Sequence, residues 1–352
     1  MRRFVAALAA APLILLVAAG PILACGGLIG PNGSVNLLRT TTFAGYHDGV
    51  EHYVTAFTFA GGGGKFGSII PLPGIPTSVE RGGDWTLQRL ILETTPQRAF
   101  ATAQPAPNES SGGDAEVLLQ TKVDALDITV LKGGGAAVGA WVTEHGFRLP
   151  PDAPEVLDFY ADRSPIFLAA SFDADAAREL GQEIGDGTPV HITIPTDNPW
   201  VPLRILGLGK GAGEIVQADV FLLTDARPSL LPNPILAGLR IDHSAAANDS
   251  LLADLRSDKG MEWVPPEAWL TRIGIDIDAT RLRYDLAVDA TGLARPSAVA
   301  AGLVAPVSTG TPVPARSEDL VRWLPGLVFL GLGVAFIGWL VAFRPASGGR
   351  PA

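Results

Sequence analysis

The chain has 352 residues, 47% of them apolar and 18% charged, which is enough to bury the core of one large or two ordinary domains and excludes a disordered chain. Its formal charge is -10, and because Arg2, Arg3, Arg344 and Arg350 sit at the ends, the middle is more acidic still, which repels phosphate backbones and excludes nucleic acid as a partner. A single cysteine can neither close an intramolecular disulfide nor build a cysteine-based metal site, while 41 glycines and 29 prolines point to many turns and short strands.

The first 24 residues, MRRFVAALAAAPLILLVAAGPILA, combine a basic start, an apolar run and a small residue at Ala24. That is the layout of a secretory signal peptide, and cleavage after Ala24 makes Cys25 the first mature residue. Ile22, Leu23 and Ala24 approximate a lipobox, although Pro21 and Leu23 fit it poorly. Cys25 is thus a lipidation site, a site for an intermolecular disulfide, or an unmodified thiol after ordinary cleavage.

In VNLLRTTTFAGYHDGVEHYVTAFTFAG, two β-rich runs flank Asp48-Gly49, a strong signal for a two-residue hairpin. FGSIIPLPGIP gives a short strand closed by prolines. DWTLQRLILETTP then predicts a helix capped by Asp84, with Leu87, Leu90, Ile91 and Thr94 at helical spacing and a stop at Pro96. Residues 97–115 have the composition of a loop and mark a possible internal boundary.

EVLLQTKV and LDITVLKGGG predict two strands, and AAVGAWVTEHGF a helix. Asp152 and Glu155 form the acidic version of a capping box, starting a short helix that turns Val156, Phe159 and Tyr160 inward. SPIFLAASFD, TPVHITIP, WVPLRILGL, EIVQADVFLLTD, PILAGLRIDH and RLRYDLAVD read as successive strands. Residues 291–322, rich in Pro, Ala and Gly, read as a stalk.

Trp323 to Phe343 is uncharged over its whole length, long enough as a helix to cross the hydrocarbon core. Arg344 and Arg350 follow it, so the tail 344–352 is cytoplasmic by the positive-inside bias. Gly331, Ala335, Gly338 and Ala342 fall on one face of that helix, where small residues permit close packing of a second helix. The expected fold is α+β, with mostly antiparallel β-sheets and a few short helices over 25–290, plus one C-terminal transmembrane helix.

ACGGLI, FGSIIPLPGIPTSVE, HGFRLPPDAPEVLDFYADRSPIFLAASFD and TPVHITIPTDNPWVPLRILGLGK leading into ADVFLLTDARP occur here in that order. The order resembles DUF2330, a bacterial family known only as a domain of unknown function. The resemblance implies an exported, membrane-attached protein and assigns no catalytic residues. Relatives often carry a second cysteine soon after the first, where this chain has Leu28, Ile29 and Gly30, so a local disulfide is missing.

No cofactor is required by the sequence, although a divalent metal is conceivable at His47 and His52, which a hairpin tipped by Asp48-Gly49 makes diagonal neighbours on one face. Glu51 points to the opposite face, so a third ligand is missing. Asp173 with Asp175, and Asp276 with Asp278, are carboxylate pairs at strand spacing that read as solvated edges before calcium ligands. AGGGGKFGS and GLGKGAGE lack the features of a phosphate cradle, and no nucleophile elbow or H-E-x-x-H motif occurs. The leading expectation is a membrane-anchored binding or assembly module of the cell envelope, with the bilayer and an envelope protein or glycan as partners. The rival is an envelope hydrolase or metal-dependent enzyme whose residues are dispersed along the chain.

Overall fold

Asp48 and Gly49 make the turn expected of them, with φ of 49° and 77°. Both values are positive, the condition for a tight hairpin whose twist matches its strands. They join two strands of a computed structural model that describes residues 27–30, 33–34, 40–58, 65–95, 116–173, 179, 181 and 187–306. The predicted leader 1–24, Cys25, the loop 97–115, Asp175, the span 323–343 with Gly331, Ala335, Gly338 and Ala342, and the tail 344–352 lie outside the described residues. Among the described residues, no helix is long and apolar enough to cross a membrane.

A seven-stranded sheet holds β3 (Thr40–His47), β4 (Val50–Thr58), β6 (Ser78–Arg81), β10 (Gly187–Pro195), β12 (Ile215–Thr224), β14 (Arg240–Ala246) and β15 (Trp269–Asp278). Its order is β14, β15, β12, β3, β4, β10, β6. A six-stranded sheet holds β1 (Gly27–Gly30), β2 (Gly33–Ser34), β5 (Lys65–Pro71), β7 (Glu116–Val123), β8 (Leu126–Lys132) and β9 (Ile166–Asp173), in the order β2, β1, β5, β9, β8, β7. A small third sheet joins β11 (Trp200–Val201), β16 (Leu286–Asp289) and β13 (Ser229–Leu231). Only β12 beside β3 is parallel; the remaining described pairs are antiparallel, as an α+β chain predicts. β5, before residues 97–115, pairs with β9 beyond them, so both sides of that segment share one sheet.

The two large sheets lie face to face and helices cover their outer sides, giving four layers. Tyr53, Ile70, Val130, Leu168, Ile192 and Val220 meet between the sheets. On the far side of the seven-stranded sheet, Phe43, Val54 and Phe221 meet Leu87 and Leu90 of α1 (Thr86–Thr94) and Leu251 and Leu255 of a helix over Asp249–Ser257. On the far side of the six-stranded sheet, Leu131, Phe167 and Ala169 meet Trp141 of α2 (Gly135–Glu144) and Leu157 and Tyr160 of α3 (Ala153–Ala161). Strands buried on both faces explain the nearly continuous apolar runs VFLL and IFLAA.

Several local expectations are corrected. Asp84 does not cap α1; it pairs with Arg81, and the amides of Trp85 and Thr86 donate instead to Asp258. Asp152 makes no capping bond to α3, because its carboxylate accepts from the Gly209 amide, while Glu155 pairs with Arg204. Most of WVPLRILGL is not strand: beyond β11 the chain forms a 3-10 turn over Arg204–Gly207, since Pro202 cannot donate to a ladder and Asp285 takes the amides of Leu203 and Arg204. PILA is the short helix α4 (Pro234–Ala237), capped by Asn233 and ended by left-handed Gly238, so that strand begins only at Arg240. In RLRYDLAVD only Leu286–Asp289 is strand. The sequence pattern does not announce the helix Asp249–Ser257, here α5, although Asn248 caps it by accepting from the Leu251 amide.

The first part of the predicted stalk packs on the domain. Ala300 and Ala301 are buried, the Asp285 amide donates to the Ala301 carbonyl, and Gly302 lies against Phe159. A run of small apolar residues has little bulk to keep it off a neighbouring surface, so composition alone does not separate a spacer from a packed strap.

Candidate functional site

The centre of the seven-stranded sheet carries charge-capable side chains on both faces of β4. Register places Gly45 opposite His52 and His47 opposite Val50, so the two histidines share a face as expected. The structure nonetheless sends them to different partners. His47, at the rim, lies 2.6 Å from Asp225 through Nδ1 and 3.5 Å from Asp48 through Nε2. His52 turns inward, and its Nδ1 lies 3.0 Å from Nε2 of His191 on β10.

Trp263 closes that face, its ring 3.8 Å from the His52 ring and within 3° of parallel. His52 and His191 keep only 9% and 3% of their exposure. Burial makes a charged imidazole costly, and the pKa of His52 is pushed down to about 3, that of His191 to about 4. One ring must donate and the other accept across the 3.0 Å contact, so the two cannot both be charged. Among the described residues, His191 Nδ1 and Trp263 Nε1 have no hydrogen-bond partner.

The Trp263 ring can lie flat because residue 45 has no side chain. A Cβ at Gly45 would stand 2.0 Å from Cη2 of Trp263. Gly45→Ala should therefore lower stability by about 1–3 kcal/mol through overpacking. A denaturation midpoint measures this, and Trp263→Leu in the same chain should restore part of the loss.

On the opposite face of β4 lies Glu51, 1% exposed, with neither carboxylate oxygen in a hydrogen bond of normal geometry among the described residues. Burial raises its pKa to about 8, outweighing the lowering effect of a hydrogen bond from the Trp200 backbone. It borders a gap of about 10 Å³, room for roughly one water molecule, lined also by Ala44, Tyr46, Val201, Leu222, Thr224 and Val288. At the rim, Tyr46 Oη donates to the Thr196 carbonyl at 2.9 Å. The Tyr46 hydroxyl pKa is raised by burial and by the carboxylates of Asp197, Glu51, Asp225 and Asp289.

Other sequence candidates fall into structural roles. Asp278 accepts from the Gly213 amide and from Thr280, capping turns. Asp276 is exposed on β15, and Trp200 is buried at 3% beside Tyr160. Among the described residues, no group of three or more His, Cys, Asp or Glu is placed to hold a metal ion. Glu51, His191 and Trp263 did not stand out in the sequence. The available signal was the run HYVTAFTF, whose few polar residues mark a strand buried on both faces, where a carboxylate or imidazole has no route to water.

A family model described as an uncharacterized protein conserved in bacteria matches residues 21–289. No curated protein and no solved structure matches the chain.

Proposed function

Since the chain belongs to DUF2330, the family of uncharacterised bacterial proteins matched over residues 21–289, we propose that it is a non-catalytic binding or assembly module of the cell envelope. It is exported behind the leader 1–24, held by the apolar segment 323–343, and presents the sheet domain outside the cytoplasm. The apolar length of 323–343 and the arginines after it support this placement.

The observation that carries the binding role is the pair Ile235 and Leu236, which keep 68% and 88% of their exposure on α4. They are held rigidly. Asn233 caps the Leu236 amide, Gly238 ends the helix in the left-handed region, and Tyr284 Oη donates to the Ala237 carbonyl. Two fixed aliphatic side chains gain roughly 3 kcal/mol when a partner covers them, and they suit an apolar protein surface better than a glycan.

A photo-crosslinking residue at Leu236, in the full chain in living bacteria, should give one discrete adduct with an envelope protein. Adding Ile235→Ser should abolish the adduct and leave stability within about 0.5 kcal/mol. Adducts with glycan alone, or an adduct pattern unchanged by Ile235→Ser, would overturn the proposal.

A further inference from the structure

A long, exposed strand at the edge of a sheet is a template for another strand, because its outward N–H and C=O groups still need partners. β14 (Arg240–Ala246) is the end strand of the seven-stranded sheet and, among the described residues, pairs only with β15. The other long end strand, β7, is flanked by the opposite sheet, since Arg81 of β6 pairs with Asp124 in the turn that follows β7. We propose that two copies of this chain pair β14 against β14, antiparallel, about a two-fold axis centred on Ile241, so that their seven-stranded sheets become one. This rests on the binding role of α4 and makes the partner a second copy.

The charges of β14 select that occupant. Arg240, Ile241 and Asp242 are all exposed. Arg240 lies opposite Gly274, and it and Asp242 sit over that glycine on the outer face, whereas Ile241 lies opposite Ile273 and turns to the face shared with the second sheet. A two-fold axis perpendicular to the sheet keeps side chains on their own faces and sets residues equally far before and after Ile241 against each other. Arg240 of each copy then meets Asp242 of the other, and Ile241 meets Ile241.

Charged residues and bulges guard an edge against indiscriminate pairing, and β14 has both, with its bulge between Ile241 and His243. The guard is selective. Arg240 and Asp242 bond within the strand at 3.1 Å, and like charges placed opposite repel an incoming strand unless it offers the reverse order of charge. An antiparallel copy offers that order by symmetry.

The apolar surface continues the contact. Only Gly238 and Leu239 separate α4 from β14. The two-fold therefore carries α4 of each copy toward Ser244, Ala245 and Ala246 of the other, whose short side chains leave room for Ile235 and Leu236. Ile241, at 40% exposure, extends that patch to the axis.

Cysteine crosslinking in living bacteria tests the register, using the full chain with Cys25→Ser so that each introduced thiol is the only one. Directly opposite Cβ atoms in an antiparallel pair lie about 5 Å apart, close to disulfide range. Under copper–phenanthroline oxidation, Ile241→Cys should give a covalent homodimer. Ala246→Cys, about 30 Å from its symmetry mate in this register, should give at least tenfold less. Adding Arg240→Asp to Ile241→Cys should lower the dimer yield about tenfold, because like charges then stand opposite twice; adding Asp242→Arg to that chain should restore it. Equal yields from Ile241→Cys and Ala246→Cys, a yield indifferent to Arg240→Asp, or no recovery with Asp242→Arg would each overturn the pairing. A single Leu236 adduct with a protein other than this chain, together with no Ile241 disulfide, removes the second copy as partner and leaves the binding role of α4 intact; loss of both signals removes both.

Discussion

Replacing Asp285 with alanine should lower the stability of the domain by about 3–5 kcal/mol. Asp285 is completely buried. Its Oδ1 accepts from Tyr160 Oη at 2.8 Å, from the Leu203 amide at 2.7 Å and from the Arg204 amide at 3.0 Å, and its Oδ2 pairs with Arg163. The guanidinium of Arg163 is itself enclosed, packed over the rings of Phe159, Tyr160 and Trp200. Alanine would leave the buried Arg163 cation without its counter-charge, although it still donates to the Phe159 and Ala300 carbonyls, and would leave a phenol and two amides without an acceptor, each costing more than its hydrogen bond contributed.

This carboxylate also ties α3 to the turn over Arg204–Gly207 and, through Arg163, which donates to the Ala300 carbonyl, steadies the segment before Ala301, so its loss should loosen all three together. Urea denaturation measures the effect. Asp285→Asn should lose less, because a carbonyl oxygen can still accept from the amides. Combining Asp285→Ala with Arg163→Met should recover part of the loss, since the stranded cation is then gone. A loss below about 1 kcal/mol in Asp285→Ala would show that water reaches these groups.

Glu51→Gln should act in the opposite direction, raising stability at pH 8 by on the order of 3 kcal/mol. The folded chain holds the Glu51 proton up to about pH 8, while the unfolded chain releases it near 4.5. The stability tied to that proton is complete below pH 4.5 and disappears as pH rises to 8. Glutamine has no proton to lose, so the advantage of the variant should grow between those limits and vanish below them.

His52 and His191 contribute the reverse slope. Their folded pKa values, about 3 and about 4, lie below the ordinary 6.5. Their contribution is full above pH 6.5 and is lost as pH falls toward 4 and 3. From these three groups, stability should peak near pH 6.5, falling on the alkaline side through Glu51 and on the acid side through the histidines. Melting temperatures measured from pH 4 to pH 9 check both limbs. An alkaline limb of equal slope in wild type and Glu51→Gln would show that Glu51 ionises freely in the folded state.

Much of this architecture is legible in the chain, because alternation, turn residues and apolar runs are local signals. Asp48-Gly49 specifies its hairpin through two positive φ values, and EVLLQTKV, LDITVLK and IFLAASFD specify strands. Capping was legible in type and wrong in partner. Asp84 and Asp152 stand where a cap should be, yet Asp258 and the Gly209 amide, far along the sequence, supply and claim the bonds. The acceptor that caps a helix is chosen by geometry, and sequence shows only the nearest candidate.

The candidate site divides in the same way. The sequence by itself determined that His47 and His52 share a face and that Glu51 turns to the other, since side-chain direction in a strand follows a period of two. Only the tertiary structure decided that His52 meets His191 across 139 residues, that Trp263 seals them over Gly45, and that Glu51 is buried between the sheets beside the Trp200 backbone. The physical reason is that direction along a strand is a property of the backbone, whereas burial and partner are properties of whatever the second sheet, the helices and the distant loops bring against it.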